Sequence, residues 1–200
     1  MAEAAKSGCV VKVAIEAVLD IVGKTIQNMK TTCTSLLVGI LFTFSAHSAD
    51  FSVSLTDVHL CCDSCVKGAE KAIAKVKQVA EVVNKDDETI KLTGPDKATV
   101  QKAVDSLVAA GFFGKSSDAS IKVDAITGAK GQKVQAIKIS EVHLCCPKCV
   151  KSVNAALESV PGVKANTATK GAKVFEVTGD FNDKDVFDAL QKAGLTGKEE

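Results

Sequence analysis

The sequence predicts an α+β protein of two small sandwiches in tandem, each running strand–helix–strand–strand–helix–strand. Three observations carry this. The first is an internal repeat: His59-Leu60-Cys61-Cys62-Asp63-Ser64-Cys65 returns 84 positions later as His143-Leu144-Cys145-Cys146-Pro147-Lys148-Cys149, flanked each time by Val before and Val-Lys after. The second is the order of hydrophobic periods, which switches between the two-residue repeat of strands and the 3.6-residue repeat of helices in the same sequence in both copies. The third is the placement of glycines where helices should stop.

Taken in order, Val53/Leu55 and Ile137/Ile139 alternate as strands should, and the Cys-rich loop follows each. Val66, Ala69, Ile73 and Val76 then share one helical face, as do Val150, Val153, Leu157 and Val160. Pro161-Gly162 ends the second of these helices. Val79 to Val83, a polar turn at Asn84 to Asp87, and Ile90/Leu92 read as a hairpin. Its counterpart is Val163 to Thr167, a turn at Lys170-Gly171, and Phe175/Val177, with Thr93-Gly94 and Thr178-Gly179 as closing pairs. Val100, Val104 and Leu107 mark a helix ending at Gly111; Val186, Phe187 and Leu190 mark one ending at Gly194. With a final strand expected after Gly111 and Gly194, short or missing in the second copy, each copy is a ferredoxin-like split βαβ sandwich. Ile121 and Val123 are the candidates for that last strand in the first copy. Apolar alternation breaks between Leu55 and Val58, and between Ile139 and Val142, so each binding loop should hold an inserted residue or bulge.

The domains expected are therefore residues 50–124 and 136–200, joined by a linker at 125–135 whose segment 127–133 reads as a flexible tie. Upstream, residues 29–49 have the layout of a secretory signal peptide. Met29-Lys30 leads into the apolar run Leu36 to Phe44, and small residues follow with cuts available after Ser48 or Ala49. That run is too short to span a bilayer, which takes about 20 residues. The expected location is periplasmic or secreted, or membrane-anchored if the segment stays uncleaved. Residues 1–28 form an N-terminal extension, either translated or the product of an over-extended start.

Composition excludes several functions. Every basic residue is Lys, there is no Trp or Tyr, and the formal net charge is +1, so no nucleic-acid face is indicated. With three His, and no nucleophile–base pair or phosphate-binding glycine loop, binding is indicated rather than catalysis. Six of the eight cysteines lie in the two loops. Thiolates are soft ligands for Cu(I) and Zn(II), and a C-x-x-C pair opening a helix feels the positive end of its dipole. Cys62/Cys65 and Cys146/Cys149 are thus candidate metal ligands, with Cys61 and Cys145 as third thiolates. Adjacent Cα atoms about 3.8 Å apart make a Cys61–Cys62 disulfide strained, and an odd thiol count per copy suits a disulfide framework badly.

Both copies resemble the heavy-metal-associated (HMA) domains of copper chaperones, copper-pump N-termini and periplasmic mercuric-ion-binding proteins. The family motif Gly-Met-x-Cys-x-x-Cys aligns its cysteines with Cys62/Cys65 and Cys146/Cys149, its Met with Leu60 and Leu144, and its Gly with His59 and His143. The family's aromatic near the metal falls on Phe112, and on Leu195 in the second copy. The resemblance implies capture of Cu(I), or of Zn(II), and its transfer by ligand exchange to a metal-transporting or metal-accepting protein. Here His59 and His143 share a side with Cys61 and Cys145 if the leucines point inward, making them candidate fourth ligands. The two sites act separately, or the copies meet face to face and share one ion through Cys62, Cys65, Cys146 and Cys149. The rival readings are a thiol–disulfide redox protein and a structural or interaction module without metal.

Overall fold

The structure is a computed structural model and describes residues 50–200; the expected extension and signal segment lie outside the described residues. Both repeats fall in one compact unit. The first half runs β1 (Phe51–Thr56), α1 (Asp63–Ile73), β2 (Ala80–Asn84), β3 (Thr89–Gly94), α2 (Lys97–Ala109) and β4 (Lys115–Ser116). The second runs β5 (Lys133–Ser140), α3 (Pro147–Glu158), β6 (Val163–Asn166), β7 (Val174–Asn182), α4 (Asp183–Lys192) and β8 (Lys198–Glu199). Two four-stranded sheets result, in the orders β2-β3-β1-β4 and β6-β7-β5-β8, with antiparallel pairing throughout. This order is compatible with a ferredoxin-like sandwich.

The helical and strand periods produce the cores directly. Val53 and Leu55 of β1 and Ile90 and Leu92 of β3 are buried against Ala69 and Ile73 of α1 and Val100, Val104 and Leu107 of α2. Ile137, Ile139, Phe175 and Val177 do the same beneath Val153, Leu157, Val186, Phe187 and Leu190. Each fully buried large aliphatic or Phe contributes about 1.5–3 kcal/mol. Helix α2 starts where Asp96 accepts a 2.7 Å hydrogen bond from the Thr99 amide, a cap typically worth about 1 kcal/mol. Both α2 and α4 stop at glycines in the left-handed region, Gly111 (φ 87°) and Gly194 (φ 74°).

Three details depart from the sequence reading. The last strand of the first sheet is Lys115–Ser116, paired with Leu55 and Thr56, and not Ile121/Val123. The chain leaves the sheet through a turn in which the Asp118 amide bonds Ser116 Oγ and the Ser120 amide bonds Asp118 Oδ1. Gln101 then takes over the role of a partner strand, bonding both the carbonyl and the amide of Lys122 (2.7 and 2.9 Å). Ile121 is still buried, but off the sheet. Second, β7 does not close at Thr178-Gly179. It continues to Asn182 because β5 begins early enough to pair Val134 with Phe181 and Lys133 with Asn182.

Third, segment 127–133 is tied down and not a free tether. The Thr127 carbonyl accepts from the Glu199 amide at 2.7 Å. The buried Asp183 carboxylate accepts from the amides of Lys130 and Gln132, both at 2.8 Å, and of Lys184 at 2.7 Å. Desolvation pushes the Asp183 pKa up, but the amides of Lys130, Gln132, Lys184 and Gly131 together outweigh it and hold it below the usual carboxylate range. Because the folded value lies below the unfolded one (about 3.9), its stabilisation is full above that unfolded value. It is lost as pH falls through the folded value. Asp183→Asn should cost about 1–3 kcal/mol at neutral pH, since one amide then faces an NH2 group. It should also flatten the acid limb of the stability–pH curve, measured by urea unfolding at stepped pH.

Candidate metal centre

Each Cys loop is set by the strand before it and the helix after it. Strand β1 ends at Thr56, and Asp57 then adopts φ 58°; Glu141 repeats this with φ 62° after β5. These left-handed residues are the breaks in alternation expected from the sequence. They let Val58 and Leu60, and likewise Val142 and Leu144, point into the cores. The Val58 amide is held by the Glu88 carbonyl at 3.0 Å, and the Leu144 carbonyl by the Gly171 amide at 2.7 Å. Cys62 and Cys146 are the N-cap residues of α1 and α3, in extended conformation (φ −165° and −148°), and neither side chain caps its helix. Their sulfurs are free to face elsewhere.

They face each other. Helix-stop glycines dock each half on the loop of the other. A Cβ on Gly111 would lie 2.4 Å from the Glu141 oxygen and 2.5 Å from the His143 nitrogen. One on Gly194 would lie 2.5 Å from both the Asp57 oxygen and the His59 nitrogen. The Gly194 carbonyl accepts from the amides of His59 (3.2 Å) and Phe113 (3.0 Å), and the Gly111 carbonyl from Thr196 (3.1 Å). Phe112 and Leu195 pair as a bridge between the halves. The two repeats are thus joined about a pseudo-twofold axis that brings both Cys loops together.

Across this junction Cys61 Sγ lies 3.5 Å from Cys146 and 3.6 Å from Cys149, and Cys65 Sγ lies 3.5 Å from Cys145 and 3.6 Å from Cys149. Cys62 and Cys145 are 3.9 Å apart. Within the halves, Cys61–Cys65, Cys62–Cys65, Cys145–Cys149 and Cys146–Cys149 are separated by 3.6, 3.7, 3.7 and 3.6 Å. All six thiols are free. Cys65 and Cys149 are fully buried, and the other four are half-buried.

So many thiols in one place cannot all ionise together. The hydrogen bond to Cys149, followed by burial, pushes the Cys65 thiol far up; burial is the main cause for Cys61 and raises Cys145 to about 12. Cys149 is the acceptor of the group, held well below the ordinary thiol value by Cys65 first and, against its desolvation, by His59 and Cys146. Cys62 also resists desolvation: the Cys65 amide, the Cys146 and Cys65 thiols and the Ser64 amide bring it to about 6. The arrangement is a nest of shared protons that soft cations can displace.

The histidines part company. A ring nitrogen of His59 lies within 4.8 Å of the sulfurs of Cys61, Cys65 and Cys149, and the residue is buried. His143 joins no such group among the described residues. Its ring sits on Phe112, with centroids 4.4 Å apart, and burial holds its pKa down. The second half has Leu195 at the position of Phe112, so among the described residues His59 meets no such ring. Gly68 also shapes this corner: a Cβ there would be 2.6 Å from His143 Cε1 and 3.3 Å from Phe112 Cζ. Sequence reasoning missed Gly68, Gly111 and Gly194 as docking residues. The only available signal was a small residue three positions after Cys65 and a glycine before each Phe112/Leu195 position. His143 and Cys145 line an open groove of about 610 Å³ that reaches the cluster from the surface.

Fold and site together define an α+β protein whose paired Cys loops can hold a soft metal. No family model matches the chain, and no curated protein matches it. Among solved structures, it is similar to the N-terminal soluble domains of Bacillus subtilis CopA (18% identity over 76% of this chain and 95% of that one, TM-score 0.28). It is also similar to the water-soluble region of the P-type ATPase CopA from the same organism (19% identity, 76% and 93% covered, TM-score 0.26). A third similarity is to the first two RRM domains of the yeast poly(U)-binding protein Pub1 (7% identity, 75% and 98% covered, TM-score 0.22).

Proposed function

We propose that this protein is an exported carrier of a soft metal ion, Cu(I) in the first place and Zn(II) in the second. It consists of two HMA-like sandwiches in tandem that hold the metal between them. The observation that carries this reading is the convergence of six free sulfurs, with contacts of 3.5–3.9 Å between the halves. With metal–thiolate bonds of about 2.3 Å, sulfurs bound to one ion stand roughly 3.8–4.0 Å apart, so the site is close to the spacing required. Metal exchange needs no catalytic group. An incoming partner thiol displaces one sulfur at a time, and the half-buried Cys62, Cys145 and Cys146 are where it can start. The acceptor is accordingly a protein with thiol ligands of its own.

The same spacing bears on the redox alternative, because sulfurs this close can also close into disulfides on oxidation. Metal analysis of the reduced protein purified without air separates the two. Bound Cu or Zn supports the carrier; a metal-free protein with a reversible disulfide of defined potential supports the redox reading. Export rests on the layout of residues 29–49, and N-terminal sequencing of the native protein should begin at Ala49 or Asp50. A soluble protein starting at Met1 or Ala2 would defeat it.

A further inference from the structure

The shape of the sulfur cluster says how many ions it takes. Besides the contacts of 3.5–3.9 Å, the pairs Cys61–Cys62, Cys62–Cys146 and Cys145–Cys146 fall within 4.8 Å. Only Cys61–Cys145, Cys62–Cys149 and Cys65–Cys146 are not paired in this way. Six points of which each is close to all others but one are the corners of an octahedron, and those three pairs are its opposite corners. Any four corners of an octahedron include an opposite pair. The sulfurs alone therefore offer triangular faces and no tetrahedral set.

The eight faces fall into two alternate sets of four; one set is Cys61/Cys65/Cys149, Cys61/Cys62/Cys146, Cys62/Cys65/Cys145 and Cys145/Cys146/Cys149, and His59 lies beside its first face. Any two faces of this set share one corner, and every sulfur belongs to two of them. From this the geometry points to a cage of four trigonal Cu(I) ions capping alternate faces of the octahedron, with all six thiolates bridging. The inference rests on the soft-metal reading above and gives its nuclearity. Cu(I) accepts three thiolates; Zn(II) wants four ligands. A fourth donor stands at the Cys61/Cys65/Cys149 face, beside His59, so Zn(II) loads there as one Cys3His ion.

An ion in the plane of a face needs sulfurs about 4.0 Å apart for bonds of about 2.3 Å, a few tenths of an ångström more than the contacts of 3.5–3.9 Å. Loading breathes the cage outward without rebuilding it. A single ion would leave half the cluster as crowded thiols; four ions use every sulfur. On loading, each thiol proton goes to solvent and copper stays Cu(I) throughout. The four positive charges offset most of the six thiolates, and the Lys85 ammonium lies in Coulombic reach of Cys62.

The test uses the reduced, metal-free full chain, titrated anaerobically with Cu(I) against a competing chelator and followed by native mass spectrometry and X-ray absorption. Saturation at four ions per chain, sulfur-only copper coordination and a short Cu···Cu path are expected. Saturation at one or two ions with no Cu···Cu path would overturn the cage while leaving the carrier reading intact; no tight Cu(I) at all would sink both. Cys62→Ser or Cys146→Ser each leaves two complete triads, so either variant should saturate at two ions; one or three would count against the cage. Circular dichroism checks that each is folded. His59→Ala should keep all four Cu(I) ions and weaken Zn(II) binding; equal Zn(II) binding would remove His59 from the site.

Discussion

Replacing Cys65 or Cys149 by Ser should weaken Cu(I) binding in both halves at once. Each residue is fully buried, and each sulfur stands 3.5–3.6 Å from sulfurs of the other half. A serine oxygen is hard, stays protonated and cannot replace a bridging thiolate. Losing an outer-shell partner of a metal site already costs 10–100-fold in affinity, so losing one of these sulfurs should cost at least roughly 100-fold at the two triads that contain it. If the two C-x-x-C motifs acted as separate sites, Cys65→Ser would leave Cys145, Cys146 and Cys149 with full affinity for one ion. Competition titration of Cys65→Ser distinguishes these results. Two surviving ions, one of them on the Cys61/Cys62/Cys146 triad that spans both halves, are expected; a single surviving ion of parental affinity would mean that the loops do not share their metal in solution.

The second large effect belongs to residues that bear no ligand. Gly194→Ala places a Cβ 2.5 Å from backbone atoms of Asp57 and His59, and Gly111→Ala places one 2.4 Å from the Glu141 oxygen. Backbone cannot swing aside as a side chain can. Both glycines also have positive φ (74° and 87°), which costs an L-residue about 1–2 kcal/mol by itself. Gly131 and Gly171 supply the control, with φ 71° and 78° but nothing within 4 Å of a Cβ. Alanine at the control sites should show the conformational cost only. At Gly111 or Gly194 it should add the cost of separating the halves, for a total of roughly 3 kcal/mol or more. That is a Tm loss of about 6–12 °C in a chain of this size. Separation parts Cys61 from Cys146 and Cys65 from Cys145, so Cu(I) stoichiometry should fall with stability. Equal Tm values for Gly194→Ala and Gly131→Ala would show that the docking contact contributes nothing.

These two results divide along the same line as the origin of the structure. The element order was legible because burial on one face imposes a period, and the sequence keeps that period at Val53/Leu55, Ile90/Leu92, Val100/Val104/Leu107 and their counterparts. The Cys loops were legible because six thiols in two matching motifs have few other uses, and the left-handed turns at Asp57 and Glu141 showed as broken alternation. The caps of α2 and α4 came from the structure: Asp96 and Asn182 sit one residue before their helices and bond the first turn.

What the tertiary structure alone decided is how the repeats meet. A periodic pattern records which face of an element is buried, not which surface of another unit covers it. That choice depends on close fits between distant backbones, such as Gly194 on the Asp57–His59 turn, which leave no periodic trace. Where the sequence left open separate sites or a face-to-face pairing through Cys62, Cys65, Cys146 and Cys149, it brought all six thiols into one cluster. It buried His59 beside Cys149 and sent His143 to Phe112, although the two motifs match around both histidines. The last strand of the first sheet escaped for a similar reason: Lys115–Ser116 is too short to show a period, while Ile121 looked like a strand residue because its burial is real. Sequence determined the two halves and their thiols; the packing of glycine against backbone brought those thiols into one cluster.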